Sequence, residues 1–241
     1  MSKLATILMA SVQDGIGARA QRWLLEEYNC SLGNNCDALK ADPEYPLMFP
    51  DAKHVIPIFG YKESYGQMWE TWLKWAQFGD PKNLYYYNCG DGDWNGLDEP
   101  GTRGTAALRP FNFGRAYQEN EMVHALMPGL KTVVTHPFPQ SFTDARIPSD
   151  VWGWGLPYIM QYGINWREGW NIPADKEVWC YLTDADLNSS MFDLATVGEI
   201  CRKYGIAACL VYKATHPRLW DVDTKVITKD GRRFLEGMVN A

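Results

Sequence analysis

Short apolar runs near the two ends of the chain predict strands, and amphipathic segments beside them predict helices. Residues 4–10 have the pattern of a buried strand, and residues 18–28 carry apolar side chains at helical spacing. Towards the C-terminus the pattern predicts a strand over 177–183, a helix over 193–204 and a strand over 207–212. A strand–helix–strand unit with short turns is typical of a right-handed parallel crossover.

The middle of the chain has a weaker pattern, in which short elements alternate with irregular stretches. Apolar runs predict strands at 54–59, 84–87 and 131–135, and helices at 63–78 and 116–127. The polar stretch 29–53 is predicted to be a loop, and the stretches 88–114 and 138–173, which are rich in Gly, Pro or Trp, are predicted to be irregular loop insertions. The tryptophans of the last stretch belong either to the core or to a pocket wall.

Together these patterns predict a single α/β domain over residues 1–241. The predicted architecture is an open, mostly parallel sheet with helices on both faces, because strand–turn–helix units recur and no hairpin signal interrupts them. The chain is 46% hydrophobic and 22% charged, which is sufficient for a sizeable core.

Charge and composition exclude several classes of protein. The net charge of −6, without a dense basic run, argues against a long nucleic acid as the main partner. No run of about 18 apolar residues is present, so we expect no membrane-spanning helix. The six cysteines form no C-x-x-C pair and the four histidines are scattered. We therefore expect a reduced, cytoplasmic protein without a cofactor or a metal site.

Candidate chemistry is concentrated after two of the predicted strands. In open parallel sheets ligands bind beyond the carboxyl ends of the strands. One such end is followed by a glycine-containing turn with Gln13, Asp14, Gly15 and Gly17. The other is followed by an acidic segment that runs from Asp184 to Glu199. The sequence therefore places its candidate site at these two turns.

Part of the acidic segment resembles the signature of a known family. The run Asp193-Leu-Ala-Thr-Val-Gly-Glu-Ile200 is similar to the D-x-G-T-x-x-E-[LI]-G motif of the nucleoside 2-deoxyribosyltransferases and the related nucleotide N-glycoside hydrolases. Asp193, Thr196 and Glu199 match the motif, whereas Ala195 and Cys201 stand where the family has glycine. The resemblance covers roughly 1–28 and 177–213. It implies a flavodoxin-like, nucleoside deoxyribosyltransferase-like sheet and a homo-oligomer, most simply a dimer.

The resemblance also implies an enzyme that cleaves or transfers at the N-glycosidic bond of a nucleoside or nucleotide. Glu199 would be the nucleophile, because the first turn of a helix favours an ionised carboxylate. Thr196 would orient Glu199, and Asp193 would contact the sugar or base. The turn after the first strand is similar to the phosphate-binding loop of the hydrolase branch. Its substrate-binding residues would be Gln13, Asp14, Gly15, Gly17 and Arg19, with Arg19 as the counter-charge.

Two other functional interpretations remain open. Asp184 and Asp186 follow an apolar strand and fit the D-x-D motif of metal-dependent glycosyltransferases, in which carboxylates hold a divalent cation. A non-catalytic nucleotide-binding protein can also be built on the same fold. In the plainest interpretation of the matched motif, Asp193 is a helix N-cap and Glu199 is a solvated helix residue.

Overall fold

One large parallel sheet dominates the part of the chain that the structure describes. In this computed structural model the described residues are 4–10, 16, 18–34, 53–57, 84–89, 120–125, 127–135, 149–190, 193–211 and 214–241. The strands of the sheet are β1 (Ala5–Ala10), β2 (Cys30–Asn34), β3 (His54–Pro57), β4 (Leu84–Cys89), β5 (Lys131–Thr135), β6 (Val151–Gly155), β7 (Glu177–Leu182) and β8 (Ala208–Val211). A separate antiparallel pair consists of β9 (Trp220–Asp221) and β10 (Val226–Ile227).

Helices follow several of these strands directly. They are α1 (Ala18–Tyr28), α2 (Leu156–Tyr162), α3 (Trp166–Gly169), α4 (Asp184–Asn188), α5 (Val197–Lys203) and α6 (Lys229–Asn240). Residues 120–125 are also helical, and a 3-10 turn at Leu194–Thr196 leads into α5. Within the described ranges, no helix has the length and apolar character needed to cross a membrane.

The strands β3 to β8 lie side by side in chain order in a curled sheet, and β1 and β2 follow on the far side of β8. Their spatial order is β2-β1-β8-β7-β6-β5-β4-β3, and each recorded pairing is parallel. The end strands β2 and β3 contact each other, although no hydrogen-bonded ladder joins them among the described residues. The sheet is therefore open but strongly curled. The predicted α/β class with an open, parallel sheet is confirmed, and so is the prediction that β1, β8 and β7 are neighbours.

The side chains on the two faces of the sheet pack against different partners. On the concave face the strands pack against one another through alternate side chains, namely Ala5, Ile7, Tyr85, Val133, Val151, Trp179, Tyr181, Ala208 and Leu210. On the convex face the intervening side chains pack against helices, and this cluster includes Leu8, Trp154, Cys180, Leu24, Val197 and Phe234. In the described part of the chain the helices thus cover the convex face. On the concave face, the described side chains of the strands pack against one another.

The stretch 138–173, predicted to be an irregular insertion, contains regular structure from residue 151 onward, namely β6, α2 and α3. Gly and Pro suggested a loop, but β6 alternates Trp on the convex face with Gly on the concave face. Gly153 is the ladder partner of Trp179, so a residue without a side chain lies beside a large buried ring. Pro157 lies in the first turn of α2, where a missing N–H is tolerated.

The tryptophans of this stretch belong to the core. The ring centroid of Trp154 lies 5.8 Å from that of Trp166 and 5.1 Å from that of Trp170. These three side chains and that of Trp152, the fourth tryptophan of the stretch, are buried in the core around β6. Close packing of aromatic rings stabilises a core beyond the area that it buries. These rings do not form a pocket wall.

Other expectations fall partly outside the described residues. The helix predicted at 63–78, residue Cys36 and most of the stretch 88–114 lie there, although residues 88 and 89 end β4. Within the stretch 29–53, predicted to be a loop, residues 30–34 form β2 instead. Four cysteines of the described residues are buried free thiols: Cys30, Cys180, Cys201 and Cys209.

The amino ends of β5 and β6 are joined by Asp150. Its Oδ2 accepts hydrogen bonds from Thr132 N at 2.8 Å and Thr132 Oγ1 at 3.2 Å, and lies 2.8 Å from His124 Nε2. Burial raises the pKa of Asp150, but the hydrogen bonds from Thr132 and His124 outweigh burial, and the net pKa lies below its usual value of 3.8. The ionised carboxylate therefore stabilises this edge of the fold.

Replacing Asp150 by Asn should lower the free energy of unfolding by about 1 kcal/mol at neutral pH, because a charged acceptor becomes a neutral one. A depressed carboxyl pKa contributes stability above the unfolded-state pKa, and that contribution is lost as the pH falls through the folded-state pKa. The difference between the wild type and Asp150→Asn should therefore shrink below about pH 4. Urea denaturation across the acid range measures it. A difference that stays constant from neutral pH to about pH 3 would contradict this role.

Candidate functional site

The carboxyl ends of β7, β8 and β1 lie side by side at one edge of the sheet. Because parallel strands are about 4.8 Å apart, the turns after β1 and β7 begin roughly 10 Å from each other. Gln13, Asp14, Gly15 and Gly17, predicted to bind substrate after β1, lie outside the described residues. Arg19 is described and is exposed in the first turn of α1.

Asp186 belongs to the cap of α4. Its Oδ2 accepts hydrogen bonds from Thr183 N and Thr183 Oγ1, each at 2.8 Å, and Asp186 N donates to Thr183 Oγ1 at 3.3 Å. This reciprocal arrangement is a capping box, which satisfies amide groups at the start of a helix. Asp184, at the first position of α4, is exposed directly after β7. The two aspartates of the D-x-D pattern thus have different surroundings.

Asp193 is the N-cap of the 3-10 turn. Its Oδ1 accepts from Ala195 N at 3.0 Å, and its Oδ2 accepts from Arg233 Nη2 of α6 at 2.8 Å. The hydrogen bond from the Ala195 amide, together with the charge of Arg233, lowers the pKa of Asp193. This carboxylate is therefore ionised at neutral pH and is unsuited to donate a proton.

Thr196 and Glu199 share one continuous segment with Asp193. Thr196 Oγ1 donates to the carbonyl oxygen of Asp193 at 2.8 Å, so its hydrogen is directed away from Glu199. Glu199 lies exposed in the first turn of α5. As far as the described residues show, it makes no hydrogen bond or ion pair. In the matched segment, the Asp193 carboxylate thus makes structural contacts, whereas the Glu199 carboxylate makes none with the described residues.

Close backbone packing holds this segment against α6. A Cβ atom on Gly198 would overlap the carbonyl group of Gly237, and one on Gly237 would overlap the carbonyl oxygen of Ala195. Only glycine allows this approach at either position. The family motif has glycine at the position of Ala195, but in this chain the close contact uses the neighbouring Gly198. Glu199 is therefore carried by a rigidly seated helix.

An aromatic mouth, formed by Gly155, Tyr158 and Tyr181, lies at the carboxyl end of the concave face and was not predicted. Gly155 and Tyr181 are ladder partners on β6 and β7. A Cβ atom on Gly155 would lie 3.0 Å from Tyr158 Cδ2 and 3.3 Å from Tyr181 Cε2. The sequence does not reveal this group, because the glycines of β6 predict a loop. The alternation of Trp and Gly was the signal that could have revealed it.

A polar cluster at the opposite, amino end of the concave face was also missed. Lys53 Nζ donates to Tyr85 Oη at 2.6 Å, and burial lowers the pKa of Lys53 and raises that of Tyr85. Glu177 accepts from Trp179 Nε1 at 2.7 Å and lies 3.8 Å from Lys131 Nζ. In the sequence, the signal for this cluster is a charged residue at the start of β5 and of β7, and just before the start of β3. The cluster closes the end of the sheet opposite to the acidic segment.

The residues that the structure describes give no support for a metal site. Among them, no group of three or more His, Cys, Asp or Glu side chains is arranged to hold a metal ion. The thiols of Cys180 and Cys201 approach to 3.6 Å, but both are buried in the core between β7 and α5.

No protein-family model matches the chain, and no curated protein matches it in sequence. The chemistry of the chain's own residues is therefore the basis for assigning a function.

Replacing Asp186 by Ala should lower the free energy of unfolding by about 1 kcal/mol, because the capping box is lost. Asp186→Asn keeps the size and one acceptor oxygen, so it should lose less than half as much. Urea denaturation of both variants measures the difference. An Asp186→Ala protein as stable as the wild type would show that this carboxylate has no capping role.

Proposed function

We propose that the protein is an enzyme that cleaves or transfers at the N-glycosidic bond of a nucleoside or nucleotide, with Glu199 as the nucleophile. The observation that carries this proposal is the contrast among the carboxylates of the acidic segment. Asp186 and Asp193 are held in caps, whereas Glu199 is exposed and has no described partner. A carboxylate without a structural contact is available to attack a substrate.

The proposed reaction has two steps. Glu199 attacks C1′ of the sugar, the C1′–N bond breaks with its electrons leaving on the base, and a proton donor neutralises the departing base. Water or a second base then displaces Glu199 from the glycosyl ester. Because Asp193 stays ionised, we assign it to accepting hydrogen bonds from sugar hydroxyls.

The two alternatives have less support. A metal-dependent D-x-D transferase needs the oxygens of Asp186 on a cation, yet its Oδ2 is occupied by Thr183. A purely nucleotide-binding protein has no need for a carboxylate nucleophile. Base release from a panel of nucleosides and nucleotides separates the three, because only the proposed enzyme frees the base without added metal.

Glu199→Gln should lower the rate of base release by about a thousandfold or more, because a covalent nucleophile is lost. Folding should be unaffected, since the side chain is exposed. Asp193→Asn should cost about tenfold, because an orienting contact is weakened. Glu236→Gln, an exposed glutamate on α6, is the matched control and should act like the wild type. Chromatographic assay of the free base gives these rates.

Chemical rescue sharpens the test. Glu199→Ala should regain part of its activity with added formate or azide, which can attack in place of the missing carboxylate. Near-normal activity of Glu199→Gln would contradict the proposal. If, in addition, Asp184→Asn and Asp186→Asn abolished a metal-dependent activity, the D-x-D transferase would replace it.

We also propose that the enzyme works in the cytoplasm as a homodimer. Ile164 and Val222 are each 56% exposed and offer apolar surface for a subunit contact. Sedimentation equilibrium at micromolar concentration should give twice the chain mass of 27.5 kDa. The mass of a single chain at that concentration would contradict the dimer.

A further inference from the structure

The aromatic mouth lies where a substrate ring would enter the carboxyl edge of the sheet. Val151 packs into the concave cluster, and side chains alternate along β6, so Gly155 also faces the concave side. The ring of Tyr158 lies over this glycine, beside the ring of Tyr181. Tyr158 therefore covers the carboxyl end of the concave face, next to the strand that leads into Asp184.

The two tyrosines of the mouth differ in exposure. Tyr181 is 7% exposed and belongs to the concave core, whereas Tyr158 is 37% exposed. Tyr158 thus presents a large aromatic surface to solvent at the edge of the sheet where ligands bind in this class of fold.

The helix that carries Tyr158 is held firmly. α2 begins directly after β6 without a loop, and Pro157 lies in its first turn. Leu156 and Ile159, on either side of Tyr158 in sequence, are fully buried against the convex face. A ring on such an anchored helix loses little conformational entropy when a ligand stacks on it.

We propose that Tyr158 is the stacking platform for the base of the nucleoside, with Gly155 providing the space that the ring needs. This inference rests on the proposed function and identifies the residue that holds the leaving group. Every nucleobase has a flat π-face, so stacking on a tyrosine gives affinity with little dependence on base identity. An uncharged platform also suits an acidic site, because it binds the base without attracting further anions.

Binding measurements on variants test the inference without requiring turnover. The probes are adenosine, guanosine, cytidine and thymidine, titrated by calorimetry into the full-length protein. Tyr158→Ala should weaken binding of each probe by about 10- to 100-fold, because a base–aromatic stack is lost. Tyr158→Phe keeps the ring and should bind within about threefold of the wild type.

Tyr162→Ala is the matched control. Tyr162 is an exposed tyrosine on the same helix, one turn later, and its ring packs on Trp170 at 4.9 Å, away from the mouth. This variant should bind the probes like the wild type. Equal thermal unfolding of Tyr158→Ala and Tyr158→Phe would show that the loss in affinity does not come from unfolding.

The outcomes separate this inference from the proposed function. Binding that is unchanged in Tyr158→Ala, or absent from the wild type for every probe, overturns the stacking platform. Base release by the wild type with an unaltered KM in Tyr158→Ala overturns it as well, while leaving the glycosyl enzyme intact. Binding that depends on Tyr158 but is never followed by base release supports the platform and contradicts the enzyme.

Discussion

Packing of the concave face by strand side chains is the constraint on which the rest of the structure depends. The rings of Tyr85 and Trp179 pack in a tilted arrangement with centroids 4.9 Å apart, and both are almost fully buried. Burying one such ring contributes about 3 kcal/mol relative to leaving it in water. The glycines of β6 make room for the rings of β7, so the sheet curls around its own aromatic residues. With that face occupied, the helices pack on the convex side.

Among the described residues, two polar clusters lie at the two edges of the sheet. The amino edge carries the compact cluster around Lys53 and Glu177, in which each charged group has a partner. The carboxyl edge carries the acidic segment and the aromatic mouth. Carboxylates that are close in sequence have separate tasks there: Asp186 closes a cap, while Glu199 is left to face solvent. This division of tasks is the physical basis of the proposed enzyme.

The sequence predicted the elements whose apolar pattern is unbroken. The strands β1, β7 and β8 are recognisable as apolar runs, and α1 is recognisable from apolar residues at helical spacing. β6 was missed because its alternation uses Gly, which is normally a turn signal and here makes space for a partner ring. β2 was missed because its five residues include polar Ser and Asn.

The candidate site was only partly predictable. The matched motif located Asp193 and Glu199, but a one-dimensional pattern does not show which carboxylate accepts hydrogen bonds from the backbone. Arg233, the partner of Asp193, lies forty residues further along the chain. The aromatic mouth depends on the register between β6 and β7, which only the folded sheet defines.

The central claim is that Glu199 forms a covalent bond to the sugar, and trapping that intermediate tests it most directly. The wild-type protein would be mixed with a nucleoside that it cleaves, quenched in acid, digested and analysed by mass spectrometry. We predict that the peptide containing Glu199 gains the mass of the glycosyl group, which is the sugar less one water, and that the same peptide of Glu199→Gln does not. Base release with the sugar found on another carboxylate, or on none, would contradict the account.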